Sequence, residues 1–160
     1  MTRQQFIALV EQSRKSLRRF LAALCCGDCA LADDIAQETY MKAYVSLDML
    51  KDPDKAINWL YRIAYNTFIN HTRSARYHVS TDTLTNLPAK DNADNAFEYD
   101  NLYKALESLS ANERTAILLF YLEDYTLKEI AKTLNISTDA AKQHLSRGRR
   151  HLRLIIENQQ

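Results

Sequence analysis

Apolar residues at Phe6, Leu9, Val10, Leu17, Phe20, Leu21 and Leu24, with the small Ser13 among them, recur at every third or fourth position. That spacing predicts an amphipathic helix with one buried stripe, ended by Gly27. A second helix is expected from Ala30 to Leu47. One of its faces carries Ala36, Tyr40, Ala43 and Leu47, while Asp34, Gln37, Glu38, Met41 and Lys42 share the other. Asp52-Pro53 has the form of an N-cap followed by proline at the first helical position. It opens a third, long helix over about 53 to 76, with Leu60, Ile63, Ala64 and Thr67 as its inward stripe.

The periodicity lapses between His78 and Asn95, where Ser80-Thr81-Asp82-Thr83, Leu87-Pro88-Ala89-Lys90 and Asp91-Asn92-Ala93-Asp94 are polar and aperiodic. Such a stretch buries little surface and is expected to be a flexible linker. From Asp82 to Asp100 five acids oppose one base, a local charge of about minus four that phosphates would repel and that also serves plain solubility. Four more helical segments follow, at about 96 to 108, 111 to 122, 127 to 134 and 138 to 156. Ser110-Ala111-Asn112-Glu113 and Thr126-Leu127-Lys128-Glu129 both fit the capping box, in which side chains at the two ends satisfy each other's amide. No strand-like alternation or internal repeat competes. The expected fold is all-α: two small helical domains, residues 1–77 with three helices and 96–160 with four, joined by the linker 78–95.

Composition agrees and adds exclusions. With only two glycines and two prolines in 160 residues and 46% hydrophobic positions, collagen-like and glycine-rich chains are ruled out, and global disorder is disfavoured. No uncharged apolar run approaches the roughly 18 to 20 residues that span a bilayer, and Met1-Thr2-Arg3-Gln4-Gln5 leads into a charged helix, not a signal peptide. An intracellular chain is expected. The net charge of +1 is silent about partners, so a nucleic-acid footprint has to be found locally.

It lies near the C-terminus. A helix-turn-helix needs a small residue where its helices cross, a left-handed residue at the turn and apolar residues tying both helices to the core. Ala131, Asn135 and the set Ile130, Leu134, Ile136, Ala141 and Leu145 supply these. On the second helix Lys142, Arg147, Arg149, Arg150 and Arg153 occur with no acid from Ala140 through Ile156. If Ala141, Leu145 and Leu152 face inward, Asp139, Lys142, Gln143, Ser146 and Arg150 face outward, as a major-groove reader requires. Gln143 suits adenine, Lys142 a guanine or a phosphate, and Arg147, Arg149 and Arg153 the backbone. His144 and His151 are expected on the helix surface, not as metal ligands. Gly148 costs its helix about 1 kcal/mol relative to alanine, and nothing in the pattern accounts for it.

The third helix holds a second constellation. Trp59, Arg62, Asn66, Asn70 and Arg73 align at helical spacing, a combination of aromatic, cation and amide that suits nucleic acid. Tyr61, Tyr65 and Trp59 would stack on unpaired bases for about 1 to 3 kcal/mol each. The alternative is structural: Trp59 in the core, and the two tyrosines as amphipathic surface residues.

Taken in order, Asp33-Asp34-Ile35-Ala36-Gln37-Glu38-Thr39-Tyr40-Met41-Lys42-Ala43-Tyr44, then Trp59-Leu60-Tyr61-Arg62-Ile63-Ala64-Tyr65-Asn66, then Leu145-Ser146-Arg147-Gly148-Arg149-Arg150-His151-Leu152-Arg153 resemble bacterial RNA polymerase sigma factors of the extracytoplasmic-function (ECF) group of the sigma-70 family. The resemblance covers about residues 5–76 and 100–155; Asn135, Gly148 and Asn70 depart from a usual glycine, a usual alanine and a frequent aspartate. It implies a sigma-2-like domain, a sigma-4-like helix-turn-helix domain, and an alternative sigma factor that binds core RNA polymerase and directs transcription initiation. By match to the family's motifs, Asp34, Gln37, Glu38, Met41 and Lys42 would face the beta-prime clamp helices. Tyr61, Arg62, Tyr65, Asn66, Asn70, Arg73 and Arg76 would face the minus-10 element. Thr138, Lys142, Gln143, Ser146, Arg147, Arg149 and Arg150 would serve the minus-35 element, and the beta flap would hold the second domain. The resemblance further implies an anti-sigma partner, a cytoplasmic location, no cofactor and no catalytic residue.

Two other readings stand beside it. A stand-alone helix-turn-helix regulator would footprint duplex DNA without polymerase. A zinc or redox protein could be built on Cys25, Cys26 and Cys29, whose odd number and close spacing argue against a disulfide framework.

Overall fold

The structure, a computed structural model, describes residues 1–78 and 96–158. Among the described residues the secondary structure is helical, with no strand. The first bundle comprises α1 (Arg3–Leu24), α2 (Cys29–Val45) and α3 (Ala56–His78); the second comprises α4 (Ala96–Glu107), α5 (Ala111–Leu122), α6 (Leu127–Leu134) and α7 (Thr138–Asn158). Apart from His78, which ends α3, the linker expected over 78–95 lies outside the described residues.

Local chemistry sets the helix ends. Thr2 and Gln5 form a reciprocal capping box at the start of α1. The chain leaves α1 through Cys26 (φ 54°) and Gly27 (φ 90°), whose N–H donates to the Ala22 carbonyl at 2.9 Å. A methyl group at Gly27 would sit 2.8 Å from Cδ2 of Tyr103 on α4, so the turn needs glycine both for its backbone and for that close approach. Asp28 then caps α2 by accepting from the Leu31 N–H. The Asp52-Pro53 signal opens a short 3-10 turn, Pro53–Lys55, and α3 proper begins at Ala56. The Ser110 box of α5 closes in both directions. At α6 only Thr126 caps, because the Glu129 carboxylate accepts from the Thr126 hydroxyl and from Asn58 on α3.

The buried stripe of α1 is as expected, with Leu9, Ser13, Leu17, Phe20, Leu21 and Leu24 inside. That of α2 is rotated. Ala32, Ile35, Thr39 and Ala43 are buried, while Ala36, Tyr40 and Leu47 are only half-buried. Ile35 and Thr39 lie one position before Ala36 and Tyr40, so the buried face is turned by about 100° from the expected one. On α3 the inward set is wider than four positions: Leu60, Tyr61, Ala64, Tyr65, Thr67 and Phe68 are all buried, and Ile63 is half-buried.

The width of that set follows from how the bundles meet. α1 packs on α5 and α3 packs on α6, so the two halves share a continuous apolar interior. Arg114 of α5 ties the junction: its guanidinium donates to the carbonyls of Leu106 (2.8 Å) and Leu109 (3.1 Å) in its own half and to that of Leu24 (2.9 Å) at the end of α1. Each fully buried leucine or phenylalanine here contributes about 1.5 to 3 kcal/mol.

Within the second bundle, Asn135 adopts the left-handed conformation expected of it (φ 56°, ψ 49°), which lets α6 stop and α7 start across the turn. Gly148 now has its reason. It is buried where α7 crosses α5, and a methyl group there would lie 2.8 Å from Cγ1 of Ile117 and 3.4 Å from the Glu113 carbonyl oxygen. The helix accepts a poor helix former so that the two axes can approach. Gly148→Ala gains about 1 kcal/mol of helix propensity but overpacks the crossing by about 1 to 3 kcal/mol, so net destabilisation is expected in urea unfolding. Ile117→Ala opens space at the same point, and the double variant should lose less than the sum of the two single losses.

Candidate nucleic-acid interface

α7 presents its opposite face to solvent because Ala141 and Leu145 are buried against the bundle. Ser137 caps the helix by accepting from the Ala140 N–H at 3.1 Å, a role that a Ser-Thr-Asp run after the turn signals but that the sequence reading did not use. Thr138 is exposed at the first helical position. One turn on, Lys142, Gln143, Ser146, Arg147 and Arg150 line an open depression of about 380 Å³ that has no carboxylate in its wall. Three cations thus share one wall, while Asp139, exposed in the first turn of the helix, lies outside it.

Arg149 is not brought to that face. Its guanidinium lies 5.0 Å from the Phe120 ring centroid and 5.5 Å from that of Tyr121, and Nε donates to the Tyr121 hydroxyl at 2.7 Å. Arg153 lines an apolar groove between α1, α4, α5 and α7. His151 pairs with Glu113 at 3.1 Å, and His144 is half-buried in the bundle.

On α3, Arg62, Asn66, Asn70 and Arg73 are exposed in one stripe, as their spacing requires. The aromatics of that helix are elsewhere. Tyr61 is 1% exposed, with its ring 5.1 Å from Phe20 and 5.8 Å from Tyr125. Tyr65 is 8% exposed and donates its hydroxyl to Asn112 Oδ1 at 2.6 Å. Burial pushes both phenols above the ordinary tyrosine range. Trp59 is half-buried beside Glu129, Lys132 and Thr133 of α6. Arg76 lies on α3, and its side chain is outside the described residues.

The α2 face divides. Asp34, Gln37 and Met41 are exposed, whereas Glu38 and Lys42 are held against α3. Glu38 accepts from His71 at 2.7 Å and pairs with Lys42 at 3.0 Å, and Lys42 also reaches the Thr67 hydroxyl at 3.3 Å. Beyond Met41 (68% exposed) the surface continues through Tyr44, Val45 (84%) and Met49 (77%), with Ile7 on α1 nearby in sequence to Phe6, whose ring packs on Tyr44 at 5.5 Å. The sequence reading missed this apolar extension. It follows from the rotation of the α2 stripe, which leaves Tyr44 and Val45 exposed.

The cysteine turn is braced against the second bundle. Burial pushes the Cys25 thiol up to about 12 and raises that of Cys26, which makes both poor nucleophiles. Among the described residues no group of three or more His, Cys, Asp or Glu is placed to hold a metal ion, and no helix is long and apolar enough to cross a membrane.

Comparison with known proteins covers both bundles. Residues 9–77 match the family Sigma-70 region 2, and residues 99–152 match Sigma-70, region 4. The ECF RNA polymerase sigma factor SigM of Bacillus subtilis is 32% identical over 142 residues, covering 86% of each chain. SigL of Mycobacterium tuberculosis, also an ECF RNA polymerase sigma factor, is 30% identical over 156 residues, 94% of this chain and 88% of its own. Among solved structures, the sigma factor RpoE in complex with the anti-sigma factor NepR from Bartonella quintana shares the fold with a TM-score of 0.81, at 24% identity over 95% of this chain and 96% of that one. CnrH in complex with the cytosolic domain of CnrY gives 0.76 at 22% identity, over 99% and 92%.

The Glu38 triad yields a pH prediction. Hydrogen bonds from His71, and then from Lys42, hold the Glu38 carboxyl below its ordinary value of 4.5. A depressed carboxylate contributes stability above its unfolded pKa and loses it as pH falls through the folded one. The stability gap between wild type and Glu38→Gln should therefore be constant near neutrality and close as unfolding curves are taken to pH values below 4.5.

Proposed function

The chain belongs to the ECF group of the sigma-70 family, and we propose that its three exposed faces divide the work of promoter recognition between them. It is an RNA polymerase sigma factor directing promoter-specific transcription, a reading favoured over a stand-alone regulator by a matching region 2 as well as a matching region 4. The face of α7 takes the minus-35 duplex through Thr138, Lys142, Gln143, Ser146, Arg147 and Arg150. Arg149, committed to Phe120 and Tyr121, supports that face from behind. Arg62, Asn66, Asn70 and Arg73, with Arg76 on the same helix, serve the minus-10 element, whereas Tyr61 and Tyr65, buried in the junction, are not part of that face. Asp34, Gln37 and Met41 meet the polymerase clamp, backed by Glu38 and Lys42. The domains are those of the helix pattern, residues 1–77 and 96–160, with 78–95 as the tether.

The observation that carries this reading is the α7 depression: a cationic, carboxylate-free wall at a helix-turn-helix. Phosphate contacts there position the helix, and Gln143 with Lys142 can read base edges. Each module binds modestly, and the tether makes the second contact effectively intramolecular. Bond-making stays with the polymerase, so the chain itself acts without a cofactor in the cytoplasm. RpoE and CnrH, which share the whole-chain fold, are each held by a partner, and an anti-sigma protein is the corresponding expectation here.

Run-off transcription on a library of randomised promoters should give defined start sites only when both this chain and core polymerase are present; footprinting of duplex DNA by the chain alone would instead support the regulator. Lys142→Ala or Arg150→Ala should weaken minus-35 binding by about 1 to 3 kcal/mol where a base is contacted, or lower the salt slope by about one where only a phosphate is. Arg149→Ala should lower folding stability by about 0.5 to 1 kcal/mol and leave that salt slope unchanged.

A further inference from the structure

A carboxylate stands in the middle of the exposed face of α7. A helix turns by about 100° per residue, so Gln143, Ser146 and Arg150 lie within about 40° of the direction set by Asp139. All four are exposed, and the buried Ala141, Leu145 and Gly148 occupy the opposite side of the cylinder. Gln143, Ser146 and Arg150 line the cationic depression, whereas Asp139 stands nearer the helix start, in the first turn. A recognition helix enters the major groove with its N-terminal residues against base edges. Asp139 therefore leads this face into the groove.

The bland role for an acid in a first turn is to offset the charge of the helix end or to cap it. Here Ser137 is the cap, accepting from the Ala140 N–H at 3.1 Å. Among the described residues the Asp139 carboxylate takes part in no hydrogen bond or ion pair, and Lys142, three residues on, lines the depression instead of pairing with it. An unpaired carboxylate is repelled by phosphates, so it weakens the hold of this face on duplex DNA in general. It gains only where a base offers a donor. In the major groove cytosine presents its N4 amine with no acceptor beside it on the same base, whereas adenine presents its N6 amine beside the N7 acceptor. Guanine presents two acceptors, N7 and O6, and thymine an acceptor and a methyl group. A carboxylate has acceptors only, and cytosine is the base it fits.

We infer that Asp139 selects the base at one position of the minus-35 element, accepting from the N4 amine of cytosine and rejecting guanine and thymine, an assignment that rests on α7 being the minus-35 face. Gln143, one turn on and nearly in line with it, suits the N6 and N7 pair of adenine, so the face carries two adjacent readers of different chemistry. Lys142, Arg147 and Arg150 attract any duplex. The carboxylate gives up part of that attraction and returns it as discrimination between bases.

The full-length chain, bound to core polymerase, is selected on duplex promoters with a randomised minus-35 region, and the retained DNA is sequenced for wild type, Asp139→Asn, Asp139→Ala and Lys142→Ala. Wild type should favour cytosine over guanine at one position by about fivefold to a hundredfold. Asp139→Asn, which sets a donor beside the acceptor, should shift that position toward adenine, and Asp139→Ala should flatten it to within about twofold. Both should also hold a duplex that lacks the preferred base more tightly than wild type, by about twofold to fivefold at low salt, because a repulsive charge is gone. Absence of a cytosine-selecting position in wild type, or the same selection in wild type and both Asp139 variants, would overturn the role of Asp139. So would a loss of stability in urea with base selection unchanged, which would leave Asp139 as a helix-end charge only. Lys142→Ala distinguishes this from the reading of α7. If it alters the selected sequences while the Asp139 variants do not, α7 is the reader and Asp139 takes no part; if all three variants select as wild type does, α7 is not the minus-35 face and the role of Asp139 falls with it.

Discussion

One helix has to satisfy three neighbours and still present a polar face to solvent. α3 meets α1 through Tyr61 on Phe20, meets α2 through Thr67 and His71, and meets the second bundle through Tyr61, Tyr65 and Asn58. A helix turns by about 100° per residue, so these commitments leave a narrow solvent stripe. Arg62, Asn66, Asn70 and Arg73 occupy it. The polar content of that stripe is therefore as much a consequence of how fully the rest of the cylinder is buried as of any demand from nucleic acid.

Charge is arranged by the same geometry. A chain with a net charge of +1 would attract no polyanion as a whole. The folded chain gathers Lys142, Arg147 and Arg150 around one depression, places Asp34 on another helix, and ties Glu38 into a triad with Lys42 and His71. Neighbours in sequence can be separated entirely. Arg149 and Arg150 leave α7 in different directions, the one to stack on Phe120 and Tyr121 and the other to line the cationic depression. Counting cations along a helix overestimates the phosphate contacts for this reason.

The junction between the bundles combines apolar packing with a single guanidinium. Arg114 reaches the carbonyls of Leu106 and Leu109 in its own half and that of Leu24 across the junction, while the shared apolar interior fills the space around it. Tyr65 adds a hydrogen bond to Asn112 across the same seam.

The amino-acid order by itself determined the helices, the Asn135 turn, the Ser110 box and the exposed positions of Lys142, Gln143, Ser146 and Arg150 on α7. These depend on local periodicity and on backbone groups a few residues apart, which the chain specifies without reference to distant partners. It also carried enough of the motifs at residues 33–44, 59–66 and 145–153 to indicate the family. Other features were decided only by tertiary structure: the rotation of the α2 stripe onto Ile35 and Thr39, the burial of Tyr61 and Tyr65, the diversion of Glu129 to Asn58 and of Arg149 to its aromatic pair, and the need for glycine at 148. Each depends on which surface lies opposite, and that surface comes from residues dozens of positions away, brought near only when apolar faces pack together.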